Sequence, residues 1–517
     1  MKVFFLITLN LLSYLVYSQQ KKLPSEYYNK VKLGEEKYRL GDYYDAIPDF
    51  EQALKFDPEN PALLLKYGIC LVESSKDKFK AINALKRAET MGEIKAAFYL
   101  GKLFYTTFQF DSASYYWETF KKRADKNEIR KTNVDKLLNQ MYDALMLINA
   151  PSQVVISPVN MVNSSYPEYS PVTDGENSVL YFTSRRDDTR GGKKDINNNF
   201  FEDIYFSNKV EGQWEEVQNP GPPLNSKEHD ACIALSLDGS TMIVYKTDPY
   251  NGTGDLYTSK KTETGWTKPL KMSMNINSLH EEKSACFSAD MKTVYFTSNR
   301  PGGYGGFDIY KSTRKKNGVW SLAENLGPSV NTPEDEDTPF ISADNKTLFF
   351  SSKGHEVNIG GYDIYKSCFK NGKWIKAVNL GWPINTLGDD LFFVLSPDGK
   401  NGYMAGLRPP AESVDIYEIK FKYDSSDVTV FKGNIVKENK ISFGQIIITV
   451  LDRETNEELA VYAPREDNGK FFVVLPNHKE LKVVFELNDQ YVIEVISPAT
   501  EYGYREIVKE VDLSNIR

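Results

Sequence analysis

Residues 288–310 read SADMKTVYFTSNRPGGYGGFDIY. Ser288-Ala289-Asp290 has turn composition, and Val294-Tyr295-Phe296-Thr297-Ser298 is a short β-branched and aromatic run. The glycines from Gly302 to Gly306 form a second turn, and Asp308-Ile309-Tyr310 opens a further strand. The whole stretch predicts two antiparallel strands joined by a glycine-rich loop.

Outward from this stretch the pattern recurs. Asp203-Ile204-Tyr205, Asp255-Leu256-Tyr257, Asp308-Ile309-Tyr310, Asp363-Ile364-Tyr365 and Asp415-Ile416-Tyr417 are separated by 52, 53, 55 and 52 residues. After each of the first four comes a tryptophan strand, at Trp214, Trp266, Trp320 and Trp374. A unit of about fifty residues with four short strands predicts a β-propeller over residues 151–421. The fifth unit lacks the tryptophan strand, and Val154 to Asn163 precedes the first unit. Asn163 aligns with Asn225, Asn277, Asn331 and Asn385, so five blades are expected, closed by the N-terminal strand. A six-bladed ring would need a degenerate blade that the sequence does not display.

Five residues after each asparagine stands a carboxylate: Glu168, Asp230, Glu282, Glu336 and Asp390. Two readings stay open. Asp230, Glu282, Glu336 and Asp390, with Glu168 less secure in register, could ring one mouth of the channel and attract a cation or a basic peptide. Alternatively, they satisfy turn amides at the start of the innermost strands.

Residues 27–149 lack strand alternation and show helical spacing with a period near 34 residues. Leu33-Gly34, Tyr67-Gly68 and Leu100-Gly101 recur with Ala46, Ala81 and Ala113, a small-residue pattern that lets paired helices approach closely. Tyr28, Tyr38, Phe98 and Tyr105 would point to one concave face and offer a peptide-binding surface; local packing is the competing reading. Residues 428–517 return to alternation, in Gln445 to Asp452, Asn468 to Pro476 and Leu481 to Phe485, and predict a small β-sandwich.

The chain begins Met-Lys and then VFFLITLNLLSYLVYS, an apolar run with Val16 and Ser18 suited to cleavage. Residues 1–18 therefore read as a signal peptide, and the protein as exported, with no transmembrane segment after cleavage. The 517 residues carry 63 Lys+Arg against 71 Asp+Glu, a net charge of −8 that argues against nucleic-acid binding. Four cysteines are too few for a disulfide framework in a chain of this length and read as free buried thiols. Four histidines leave little for metal clusters, and no metal or cofactor is expected.

The helical period resembles the tetratricopeptide repeat (TPR), assigned to residues 19–150. The strings SPDG, YFTSNRPGGYGGFDIY and NLG…NT resemble the PD40 or TolB-like WD40 propellers of bacteria. The C-terminal order of Gly-x-Ile, a strand ending in Asp, Gly-Lys-Phe and Leu-Pro resembles the carboxypeptidase regulatory-like, transthyretin-like domain. This module order is similar to PorE-type envelope proteins of Bacteroidetes, although the OmpA-like domain of that family has no counterpart among these residues. The resemblance implies the periplasm, association with the outer membrane, and protein partners of the type IX secretion and gliding machinery.

No G-x-S-x-G elbow, H-E-x-x-H motif, P-loop or dinucleotide fingerprint occurs. The sequence therefore predicts no enzymatic activity and a non-enzymatic scaffold or adaptor, binding envelope proteins through helical and propeller faces. An envelope glycan- or peptidoglycan-binding protein is the alternative, and a propeller hydrolase resting on paired carboxylates is the third reading.

Overall fold

The computed structural model describes residues 23–74, 77–195, 199–247, 254–409, 411, 413–422, 428–437, 442–477, 479–488, 490–496 and 503–514. The signal-peptide reading lies outside them. Two compact units divide the chain, residues 1–142 and 143–517.

The first unit is helical. Helices α1 (Ser25–Leu40) and α2 (Tyr43–Phe56), α3 (Pro61–Glu73) and α4 (Lys78–Thr90), and α5 (Ile94–Thr106) and α6 (Phe110–Arg123) pack as successive pairs. The short α7 (Lys126–Thr132) follows, and α8 (Val134–Asn149) runs across the division between the units. One glycine per pair makes the close approach. A Cβ on Gly34 would lie 2.9 Å from the Phe50 ring, on Gly68 2.6 Å from Leu85, and on Gly101 2.3 Å from Trp117. Phe50, Leu85 and Trp117 are thereby fully buried. Among the described residues no helix is long and apolar enough to cross a membrane.

The second unit is propeller-like. Five antiparallel sheets follow one another, with first strands Glu168–Thr173, Asp230–Leu235, Glu282–Phe287, Glu336–Ile341 and Asp390–Leu395. Each first strand touches the next, and the fifth touches the first, so the five stand in a ring. The fifth sheet takes its outermost strand, Val154–Pro158, from before the first sheet, pairing it with Asp415–Phe421. The repeated asparagines act as clamps. Asn225 accepts from the Ile204 amide at 2.9 Å and donates to its carbonyl at 2.8 Å, completing a backbone pair where no strand is available. Asn277, Asn331 and Asn385 do the same for Leu256, Ile309 and Ile364. Asn163 clamps Ile416 of the fifth sheet across the closure.

Two further sheets finish the unit. One holds Lys470–Pro476, Val428–Val436, Arg505–Val508 and Val511–Asp512, the other Glu458–Tyr462, Ile447–Asp452, Leu481–Leu487 and Gln490–Ile496. Phe431, Phe471 and Phe485 fill the core between them in edge contacts. This pair sits on the ring at the turns that follow the first strands. Val428, Val430, Phe472 and Val474 share a buried cluster with Ala289 and Ala343, and Gly175 leaves room for the Phe472 ring. One mouth of the ring is therefore covered by the chain itself.

Cys232 and Cys286 are buried in first strands and Cys70 in α3; burial pushes each thiol up to about 12.

Candidate functional site

The opposite ends of the first strands form the other mouth, and there the recurring carboxylates begin each strand. All five are fully buried. Each caps the turn four residues before it. Glu168 binds Ser164, Asp230 Ser226, Glu282 Ser278, Glu336 Thr332 and Asp390 Thr386, each through both the backbone N–H and the side-chain hydroxyl. The expectation that Asp230, Glu282, Glu336 and Asp390 present charge to a partner is corrected: with no exposed surface they serve the turn, the competing role.

In four sheets the second oxygen side meets a cation. Arg186 reaches Glu168, Lys246 Asp230, Arg300 Glu282 and Arg408 Asp390. The same cations donate to the carbonyls of Val162, Leu224, Ile276 and Ile384, just before the clamping asparagines. The fourth sheet departs from this rule. His355 takes the carbonyl of Val330 at 2.9 Å and packs against Phe350 and Tyr365, but makes no bond to Glu336. Burial pushes the Glu336 carboxyl up to about 7 against the bonds from Thr332 and Ser352, and burial lowers His355.

The side chains around this mouth stand one residue further along, or in the loops beside them; Tyr169, Lys283, Glu202, Arg185, His229 and Lys353 are half-buried, and Asp337 and Tyr362 are buried. In the first sheet, the Tyr169 hydroxyl lies 2.5 Å from Glu202, which also holds Arg185 at 2.6 Å and His229 at 2.5 Å. Burial pushes the Glu202 carboxyl up, but these partners outweigh it and hold it down at about 2. Phe201 stacks on His229 at 3.8 Å and Phe392 leans on Tyr169 at 5.8 Å. Across the third and fourth sheets, Asp337 binds Lys283 at 2.7 Å and Ser284 at 2.6 Å, with Lys283 4.0 Å over the Phe307 ring. Lys353 lies 4.3 Å over Tyr362 and 3.3 Å from Asp335.

The floor of this mouth is strained. Ser170, Thr338 and Phe392 have φ of 53°, 46° and 57°, at bulges in three first strands. A β-branched or aromatic residue adopts this conformation only when its surroundings enforce it, a condition common at binding sites. Here Thr338 is held by Ser351 and by the Phe392 amide. Below it the axis narrows to a cavity of about 20 Å³ between Pro171, Ile233, Pro339 and Phe393.

The aromatic residues expected on the helical unit divide. Tyr28 is 59% exposed. Tyr38 is half-buried against Tyr43 and Phe50. Phe98 and Tyr105 are buried, Phe98 on Phe120 and Tyr105 on Phe110 and Trp117, so their expected partner role is corrected to local packing. Sequence reasoning missed Tyr169, Lys283 and Asp337, although each directly follows a recurring carboxylate. Glu202, Arg185 and His229 come from separate loops; each borders a repeated residue, Asp203, Ser184 or Asp230, but the residue types at those positions change from unit to unit. Among the described residues no group of His, Cys, Asp and Glu is arranged to hold a metal ion.

No protein-family model matches the chain, and comparison with curated proteins finds no match. Solved structures do. An α-L-arabinofuranosidase from Lactobacillus brevis is 12% identical over 51% of this chain and 93% of its own, with a TM-score of 0.34. A glycosyl hydrolase from Bacteroides ovatus is 12% identical over 50% of this chain and 86% of its own, with a TM-score of 0.32. The tricorn protease is 14% identical over 66% of this chain and 37% of its own, with a TM-score of 0.31. These likenesses bring no substrate or residue role to this chain. The expectation of a non-enzymatic scaffold or adaptor is not carried further, glycoside hydrolases being among the structures that resemble the chain.

Proposed function

We propose that the open mouth of the ring is a carbohydrate site, with envelope glycan as its ligand. The carrying observation is the composition of that mouth: Asp337 with Lys283, Glu202 with Arg185, and Asp335 with Lys353 are ion pairs, and His229 hydrogen-bonds Glu202. Three cations there, Lys283, Arg185 and Lys353, face carboxylates already in contact with them, so a charged ligand finds little excess charge. A neutral polyhydroxylated ligand finds fixed donors and acceptors beside the Phe307, Tyr362 and Tyr169 rings. Glu202, held ionised, suits the base or nucleophile role of glycoside hydrolysis and not the proton-donor role.

The finer architecture belongs to the same proposal. The glycine contacts of the helix pairs support tetratricopeptide repeats. The asparagine clamps and the closing strand support a five-bladed PD40-type propeller, and the two terminal sheets with one core support a carboxypeptidase regulatory-like sandwich. Together with Val16 and Ser18 of the N-terminal apolar run, they support a PorE-type protein exported to the periplasm and associated with the outer membrane, where its partners would be envelope proteins. A glycan array and a pull-down on purified peptidoglycan test the ligand. Binding that falls at least tenfold in Lys283→Met and Tyr169→Phe is expected; no binding, or equal binding by both variants, refutes it. Release of reducing ends in the same incubation reads whether a bond is cut.

A further inference from the structure

A cleft of about 610 Å³ lies on the covered side, between the second and third sheets of the ring and the sheet containing Ile447 and Val461. Sites of roughly 300–1,000 Å³ between structural modules are common ligand positions. Part of its wall is apolar: Leu270 and Ile447, 69% and 46% exposed, look into it together with Met272 and Trp320.

Its charge runs against that of the chain. Lys260, Lys261, Lys271 and Arg314 line it, against only Asp238 and Glu466, while the chain carries −8. Asp238 is already engaged by Ser236 and Ser240, and Lys271 by Asp255 at 2.6 Å. Lys261 is half-buried and makes no ion pair among the described residues. Burial, and then Arg465, lower its ammonium, a state that an added carboxylate would relieve. Leu270–Lys271 is the outermost strand of its sheet and pairs only inward, with Thr258 and Tyr257, among the described residues. An edge of this kind accepts an extended backbone.

We propose that this cleft binds an extended acidic peptide, its carboxylates on Lys261 and Arg314 and its apolar side chains against Leu270, Trp320 and Ile447. The site is separate from the open mouth and does not rest on the carbohydrate reading. The probe is a fluorescently labelled synthetic peptide alternating glutamate and leucine, with fluorescence anisotropy on the full chain. Expected are saturable binding to the wild type and a loss of at least tenfold in the double variant Lys261→Glu/Arg314→Glu. Leu270→Asp, at a position where the side chain is exposed, should also lose at least fivefold with unchanged thermal melting. Tyr169→Phe should bind as the wild type does. Equal binding by the charge-reversed variant, equal binding of a lysine–leucine peptide, or displacement by polygalacturonate as effective as by unlabelled peptide each overturns the proposal.

Discussion

His355 stands in the fourth sheet where Arg300 stands in the third. Both bond the carbonyl that precedes a clamping asparagine, Val330 at 2.9 Å and Ile276 at 2.5 Å, and both sit between two rings, Phe350 with Tyr365 and Phe296 with Tyr310. Arg300 goes on to reach Glu282 at 3.1 Å, whereas Glu336 meets no cation among the described residues. A side chain at the arginine's own position, Gly354, would place its Cβ 2.0 Å from the Thr332 hydroxyl. Among the described residues the fourth sheet thus satisfies its buried carboxyl with two hydroxyls and an amide.

A pH dependence follows from this exception. Burial raises the folded carboxyl of Glu336 to about 7, above the ordinary 4.5. The folded state therefore holds the proton that the unfolded chain has released, and stability falls as pH rises between those values. The contribution is fully present below about 4.5 and lost by about 7, on the order of 3 kcal/mol. Glu336→Gln imitates the protonated form and should be more stable than wild type at pH 8 and equal to it at pH 5, read by urea unfolding. His355→Arg should also flatten the profile. Parallel profiles for wild type and both variants would show that the missing cation has no energetic consequence.

The ring's closure depends on Asn163. It accepts from the Ile416 amide and donates to the Ile416 carbonyl, both at 2.9 Å. Ile416 is fully buried, so Asn163→Ala strands two backbone groups at about 1–3 kcal/mol each. Hydrogen exchange should quicken first across Asp415–Phe421, the strand that pairs with the N-terminal Val154–Pro158. Exchange that rises evenly over all five sheets would count against a local closure.

The repeats were legible because they serve the backbone. Asp-Ile-Tyr opens the third strand of a sheet, and the aligned asparagine bonds its middle residue, so spacing alone located both partners. The carboxylates were legible as a series but not as to role. Their sign was the Ser or Thr four residues earlier, at Ser164, Ser226, Ser278, Thr332 and Thr386, which marks a local turn rather than a ligand. Phe98 and Tyr105 show the limit of repeat position: helical period places a ring on a face, but the Trp117 and Phe120 that cover that face come from the next helix. The mouth escaped for a different reason. Arg185, Glu202 and His229 border repeated residues, but their residue types do not recur in the other units, and only the folded strands bring them to Tyr169.

The third helix pair offers a packing test. Gly101 lets α5 approach Trp117 so closely that an added Cβ would lie 2.3 Å from two atoms of the indole, whose Nε1 donates to the Phe98 carbonyl at 3.1 Å. Gly101→Ala gains helix propensity, worth about 1 kcal/mol. Overpacking, about 1–3 kcal/mol, and displacement of the buried indole should outweigh that gain. A lower melting temperature with a red-shifted tryptophan spectrum is expected. A variant that melts higher than wild type would mean the pair has slack that the contacts do not display.

Glu202 joins stability to the proposed ligand site. Burial raises its carboxyl, but His229, Arg185 and Tyr169 together hold it at about 2, below the ordinary 4.5. A depressed carboxyl contributes stability that is present above about 4.5 and disappears as pH falls toward 2, on the order of 3 kcal/mol for this shift. Glu202→Gln forfeits it at every pH. The wild type should therefore melt well above the variant at pH 7, with the gap shrinking between pH 5 and pH 3. Because Tyr169 and Arg185 are oriented by the same carboxylate, glycan binding at pH 7 should fall with the substitution, even at a temperature where the variant is fully folded. A gap in melting temperature that does not change between pH 7 and pH 3 would show that Glu202 is not held ionised by these partners, and would remove the basis for assigning it the base or nucleophile role.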